Sequence, residues 1–276
     1  MFLLVLYYLT FHHNTWVSVD HKDRMKKHLP LLIYKLLKMI SGLSFAQRCD
    51  WTFDYRYDFR KYNGSMARDG DWIFINGDCL FQFRRPMNNK FNWVRHKYNF
   101  IVHNSDRSFG YQELAFLLPI AYRIYAINTT VSHPILKTIP IGFADIHLPF
   151  LKTFNVPKQE RTIEIYANFQ PRTNVTKRQE CIDCFKDNPK VVFRDNLTVE
   201  EYFNDLSKSK FVLCPEGTGI DTHRIYESLL CGATPVVLRN PLSNLYERMP
   251  VCIVDKWTDP FEVKTGNISF NHAFYI

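Results

Sequence analysis

"FVLCPEGTGIDTHRIYESLLCGATPVVL" runs from Phe211 to Leu238. An apolar run stops at Pro-Glu-Gly-Thr-Gly, a helix-like segment follows, and Gly and Pro introduce a second apolar run. This reads as strand, loop, helix, strand. Gly217 and Gly219 let the backbone turn tightly and approach a ligand. Asp221 or Thr222 is placed to cap the helix. The first helical turn presents free N–H groups and a positive dipole end, which suits phosphate. Arg224 in that turn can add a bidentate contact. At about 100° per residue, Arg224, Glu227 and Ser228 share one side of the helix. Ile225, Tyr226, Leu229 and Leu230 share the other and would pack on a sheet. Gly232 would stop the helix and Pro235 open the next strand. A carboxylate at i+3 from the arginine can accept from two ribose hydroxyls, so the stretch reads as a nucleoside diphosphate site. The plain alternative is an Arg–Glu pair on the surface of an amphipathic helix.

Working outward, the same rhythm continues. Apolar runs occur at "WIFIN" (72–76), "NFIVH" (99–103), "RIYAIN" (123–128), "TIEIYANF", "VVF", "KFVLC", "TPVVL" and "VCIVD". Strands apolar along their whole length are covered on both faces, as in parallel sheets. Helical patterns lie between them: "LPLLIYKLLKMI", "YQELAFLLPIAY", "TKRQECIDCFKDN", "VEEYFNDLSKS" and "THRIYESLL". The alternation predicts an α/β chain of open, doubly wound sheets. The stretch 137–161 holds Pro140, Gly142, Pro149 and Pro157 without periodicity and reads as a linker. The expected division is therefore 1–148, 149–259 and a tail over 260–276 that can return to the first domain, with a ligand between the domains at strand C-termini.

The chain has 276 residues, 46% of them hydrophobic, enough for a packed core. Its formal net charge of +8 favours anionic partners. The basic residues are scattered and no zinc-finger or RNA-binding motif occurs, so polymeric nucleic acid is not expected. Seven cysteines at irregular spacing, with one CxxC at Cys181 and Cys184, read as free thiols of a reducing compartment. "MFLLVLYYL" at the start is too short to span a bilayer and lacks signal-peptide flanks, so it reads as a buried strand with no stable membrane insertion. The triplets at Asn128, Asn174 and Asn196 are then chance glycosylation motifs.

The GxG lacks the third glycine of a dinucleotide fingerprint, and no GxxxxGK[ST] is present. The Phe211–Leu238 stretch, continued by "NPLSNLYERMPVCIVDKWTD", resembles the donor-domain signature of exostosin-like glycosyltransferases. The likeness is nearest to the short stand-alone enzymes of large algal DNA viruses, which look like xylosyltransferases. "IYANFQPRTNVTKR", "IVHNSDRS" and "TIPIGFAD" extend it over about Asp71–Asp259. The resemblance implies a GT-B fold, two Rossmann-like domains facing across a cleft. It implies inverting, metal-independent transfer from a UDP-sugar to a glycan or glycoprotein acceptor, and gives Arg224 and Glu227 the diphosphate and ribose. Because the chain lacks the anchor and stem of secreted relatives, a cytoplasmic enzyme is expected, with a viral capsid glycan among the acceptors and xylose as the best single donor.

Inverting transfer needs a base for the acceptor hydroxyl and positive groups for the departing diphosphate. Around Arg224, the expected donor-binding residues are Arg172, Thr173, Arg178, Glu216, Gly217, Thr218, Gly219 and His223, with Phe193 and Arg194 near the nucleobase. The base is expected in the first half: Asp78 after "WIFING", then Asp106, then His103. Asp69-Gly-Asp71 precedes its strand, unlike a metal-binding DxD, and reads as a turn, so no metal or other cofactor is expected. Two other classes remain open: a non-catalytic nucleotide- or carbohydrate-binding protein on the same scaffold, and a nicotinamide-dependent oxidoreductase.

Overall fold

The structure is a computed structural model, and it describes residues 39–83 and 96–263. These build two five-stranded sheets in which every pairing is parallel. After a short helix α1 (Gly42–Ala46), the first sheet takes β1 (Trp51–Phe53), β2 (Trp72–Asn76), β3 (Tyr98–His103), β4 (Ala121–Ala126) and β5 (Leu136–Thr138) in that spatial order. Register lines up Ile73 with Phe100 and Phe100 with Ile124, and one residue further on Phe74 with Ile101 and Ile101 with Tyr125. Successive rows point to opposite faces, and both faces are buried. That is why these strands read as unbroken apolar runs.

Helix α2 (Tyr111–Leu117) covers the Ile73 face through Leu114 and Leu117. It ends earlier than the apolar pattern suggests, because Pro119 turns Leu118–Ile120 into a 3₁₀ turn and β4 starts at Ala121. Among the described residues the first sheet runs in one direction without reversal. The expectation of doubly wound sheets therefore fails for this half.

Helix α3 (Leu148–Thr153) leads into the second sheet: β6 (Ile163–Ala167), α4 (Val175–Phe185), β7 (Val191–Phe193), α5 (Val199–Lys208), β8 (Ser209–Leu213), α6 (His223–Leu230), β9 (Thr234–Leu238), α7 (Ser243–Tyr246) and β10 (Cys252–Val254). The spatial order is β10-β9-β8-β6-β7. The chain leaves β6 in one direction and β8 in the other. Helix α4 packs on one face through Cys181 and Phe185. Helices α5 and α6 pack on the other through Phe203, Leu206, Ile225, Tyr226 and Leu229. A doubly wound sheet of this order opens a crevice beyond the C-termini of its two central strands, here β6 and β8.

The first part of the stretch expected to be a linker is core, while residues 155–158 are exposed coil. Ile139, Ile141 and Phe143 are buried, and one hydrophobic cluster joins Phe74, Ile101 and Tyr125 of the first sheet to Tyr166, Phe203 and Tyr226 of the second half. Both sheets lie within one compact unit that begins at Met39. Gly142 has φ +67, and a Cβ there would run into the carbonyl of Ile40. The strand reading of residues 1–9, most of the helix read over 29–40, and the tail past residue 263 lie outside the described residues.

Asp221 ties the halves together. Its buried carboxylate accepts from the backbone N–H of Ile141 at 2.8 Å and from the hydroxyls of Tyr226 at 2.6 Å and Tyr246 at 3.0 Å. Its own N–H donates to Asn128 Oδ1 at 2.8 Å. Burial pushes the Asp221 carboxyl up, against these donors and the charge of His223. Asp221→Ala should lower unfolding free energy by about 3–5 kcal/mol, because several buried donors lose their acceptor together. Asp221→Asn, which keeps the shape, should cost less; equal urea midpoints for wild type and Asp221→Ala would refute the role.

Candidate active site

The crevice beyond β6 and β8 holds a cavity of about 490 Å³, within the usual range for small-molecule sites. Four segments of the second half line it: Asn168, Gln170 and Thr173 after β6 with Arg178 of α4, Asn196 to Val199 at the start of α5 with Tyr202, Gly217 to Gly219 with Asp221 and Thr222 after β8, and His223, Arg224 and Glu227 of α6. The first half and the crossing segment add Asp106, Ile141, Ala144 and His147.

Helix α6 is open at its N-terminus. The expected cap does not form: Thr222 occupies the N-cap position without a side-chain cap bond, and its buried Oγ1 has no partner. Asp221 Oδ1 accepts from Thr222 N–H at 3.0 Å instead. By contrast, Asn174 caps α4 through Lys177 N–H and Thr198 caps α5 through Glu201 N–H. In the first turn of α6, Arg224 Nε and Nη1 are shut off from solvent and meet no hydrogen-bond partner. This guanidinium and that of Arg178 each lie over the Phe169 ring, 5.6 Å from its centroid. Arg178 donates to the carbonyls of Glu216 at 3.0 Å and Gln170 at 2.7 Å. Burial, and then the charge of Arg224, press the Arg178 pKa down to about 10. Among the described residues neither arginine pairs with a carboxylate. A Cβ on Gly217 would come within 2.7 Å of Arg178 Nη2 and would press that guanidinium aside. The arrangement concentrates uncompensated positive charge and free donors at one end of the cavity, where an anion would be held.

Glu227 lies at the other end of that helix face and is 3% exposed. Its Oε1 accepts from His147 Nδ1 at 2.7 Å and its Oε2 from Tyr202 Oη at 2.8 Å. Burial pushes the carboxyl up, but the His147 bond and charge, the His223 charge and the Tyr202 bond carry it below its ordinary value. The same bond raises the His147 pKa against the effect of burial. His223 Nδ1 lies 2.7 Å from the carbonyl of Gly142 and so donates to it. Ser228, expected on the polar side, is buried with its Oγ on the carbonyl of Arg224.

Of the expected donor residues, Thr173, Arg178, Gly217, Thr218, Gly219, His223, Arg224 and Glu227 meet at the cavity. Arg172, Phe193, Arg194 and Glu216 stand off its wall. Arg194 faces Asp205, and Glu216 pairs with Lys177. The connection after β7 does reach the cavity, but through Asn196 to Val199. Of the three base candidates, only Asp106 lines it. Asp78 accepts from Ser105 Oγ at 2.7 Å and faces Arg107. His103 is buried against the rings of Phe45 and Phe74, and burial drives its pKa down to about 4, which makes it a weak base. Asp69 takes Lys97 N–H and Tyr122 Oη, and Asp71 takes Trp51 Nε1 and Arg68 N–H, so both carboxylates brace the turn before β2. Sequence reading missed His147, Tyr202, Asn168 and Asn196. Cys181 is buried, and all seven thiols are free. Among the described residues no helix is long and apolar enough to cross a membrane.

Residues 149–261 match the family model of the RXYLT1 C-terminal domain, which is xylosyltransferase-like and exostosin-related. The match supports a glycosyltransferase family. It spans the whole second sheet and the arginine-lined end of the cavity. No curated protein matches the chain.

The His147–Glu227 pair has a definite pH signature. The raised His147 pKa gives stability that is full below the ordinary histidine value near ~6.5 and lost as pH rises through the folded value. The lowered Glu227 pKa gives stability present above the ordinary carboxylate range and lost as pH falls through its folded value. His147→Asn keeps a donor but cannot charge. Its stability deficit should be about 1 kcal/mol below the ordinary histidine value and shrink as pH rises through the raised folded value. Urea midpoints across that range check it, and a deficit that does not change with pH contradicts it.

Proposed function

We propose that the chain is an inverting glycosyltransferase of GT-B arrangement that moves a sugar from a UDP-sugar to a hydroxyl of a glycan acceptor without a metal ion. The observation that carries this reading is the Arg224 guanidinium, buried at two nitrogens, unpartnered, and set in the open first turn of α6. A diphosphate satisfies it, the helix N-terminus and Arg178 together. The family match over the same residues supplies the reaction class, and its xylosyltransferase-like character favours xylose as the donor sugar. Glu227, one turn along α6, would accept from the ribose hydroxyls. The nucleobase would lie toward Asn196 to Val199.

In this reading the acceptor hydroxyl attacks the anomeric carbon from the side of the first half. Asp106, exposed on the cavity wall, takes its proton. The bond from the anomeric carbon to the diphosphate oxygen breaks, and its electron pair leaves with UDP, whose growing charge the two arginines and the helix end stabilise.

Arg224→Gln should weaken UDP binding by about 1.5–3 kcal/mol, read by calorimetry, while the fold survives. Asp106→Asn should keep donor affinity and lower the transfer rate by roughly 10²–10⁴-fold. Wild-type-like transfer by that variant would remove Asp106 as the base. Activity should persist in excess EDTA; complete loss restored by Mn²⁺ would overturn the metal-free step. UDP-sugar binding with neither transfer nor hydrolysis would leave a binding protein on this scaffold.

A further inference from the structure

Glu227 is an unusual choice for a ligand acceptor because both of its oxygens are already engaged. His147 Nδ1 holds Oε1 at 2.7 Å and Tyr202 Oη holds Oε2 at 2.8 Å. The three side chains come from separate places: the crossing segment, α5 and α6. All three line the cavity. His147 is itself fixed, its ring set edge-on to Phe203 at 5.8 Å.

A carboxylate offers about four lone-pair positions on two oxygens. One donor on each oxygen leaves one acceptor position on each, and the two are a short distance apart in one plane. That geometry matches a vicinal diol, with each hydroxyl donating to one oxygen. It also requires the carboxylate to be ionised, since a protonated carboxyl would turn one acceptor into a donor. At 3% exposure an unpartnered carboxylate would favour the neutral form. The His147 bond prevents this and stops the carboxylate from rotating.

The geometry points to His147 and Tyr202 as positioning residues that turn Glu227 into a gauge for two adjacent hydroxyls, so that the site selects ribonucleotides over 2′-deoxyribonucleotides. This rests on the nucleotide reading of the cavity. Neither residue touches the phosphates, which belong to Arg224 and Arg178. Selectivity and phosphate affinity are thus carried by opposite ends of one helix face and should respond separately to mutation.

The experiment compares UDP, 2′-deoxy-UDP and inorganic pyrophosphate by calorimetry on the full chain. Wild type should prefer UDP to 2′-deoxy-UDP by about tenfold to a hundredfold, the loss of one hydrogen bond to a charged group. His147→Phe removes the donor and keeps the ring, and should reduce this preference to less than about threefold, with pyrophosphate affinity unchanged. His147→Asn restores a donor where Nδ1 stood and should restore most of the preference. Tyr202→Phe, which removes one hydroxyl, should give an intermediate ratio and serves if His147→Phe does not fold. An unchanged UDP to 2′-deoxy-UDP ratio in a folded His147→Phe or Tyr202→Phe protein overturns the proposal alone. A wild type that binds neither UDP nor pyrophosphate overturns the nucleotide reading as well, so the two failures are distinct.

Discussion

A buried carboxylate holds this molecule together. Asp221 sits where the loop after β8 enters α6, and it accepts from a backbone N–H of the crossing segment and from two tyrosine hydroxyls. An ionised group in that position is costly unless it is fully hydrogen-bonded. The bonds therefore act in concert. They fix the start of α6, the path of residues 139–147 and, through Asn128, the end of β4's loop. A helix shifted by one residue at Asp221 would turn Arg224 and Glu227 together by about 100°, away from the cavity.

Asp221 also explains why α6 is left open. Its side chain is directed at the crossing segment and the tyrosines, and the oxygen that turns back reaches only Thr222 N–H. The free donors of the first turn and the unpartnered Arg224 nitrogens are then a standing electrostatic cost to the fold. Helices α4 and α5 avoid this by capping themselves. Positive charge held ready around Phe169 needs no rearrangement when an anion arrives, which is the property a leaving diphosphate would use. Asn128 shows the same priority of structure over surface chemistry. It lies in an Asn-Thr-Thr triplet, yet it is fully buried, with Oδ1 on Asp221 N–H, and has no room for a glycan.

The two sheets contribute unequally. The second has the reversed strand order that opens a crevice, and its loops supply most of the wall. The first is wound in one direction, and among the described residues its strand ends are filled by a polar network. Asp54 takes Asn76 and Asn104, and Tyr57 links Asn104 to Asp145. Asp78 and His103 belong to that network's neighbourhood, and only Asp106, further along the loop, reaches the cavity.

Periodicity and turn chemistry determined much by themselves. The longer strands and helices from Trp72 onward, the parallel character of both sheets, the helix stop at Gly232 with its φ of +72, and the Arg224–Glu227 face were legible, because each depends on neighbours within a few residues. Short β1 and β5 escaped because Thr52 and Lys137 at their centres break any apolar run, unlike the equally short β7 and β10. Tertiary structure alone decided the rest. The 139–147 segment looks like a linker because its prolines and glycine erase periodicity, yet its apolar residues are core for both halves. His147 lies 80 residues from Glu227 in sequence, and no local pattern announces the pair. Which strand-end acid faces the cavity depended on the winding of the first sheet, a property of long-range pairing. Local sequence sets conformation over a turn or two; the partners of a buried charge are set by whatever the fold brings within hydrogen-bonding distance.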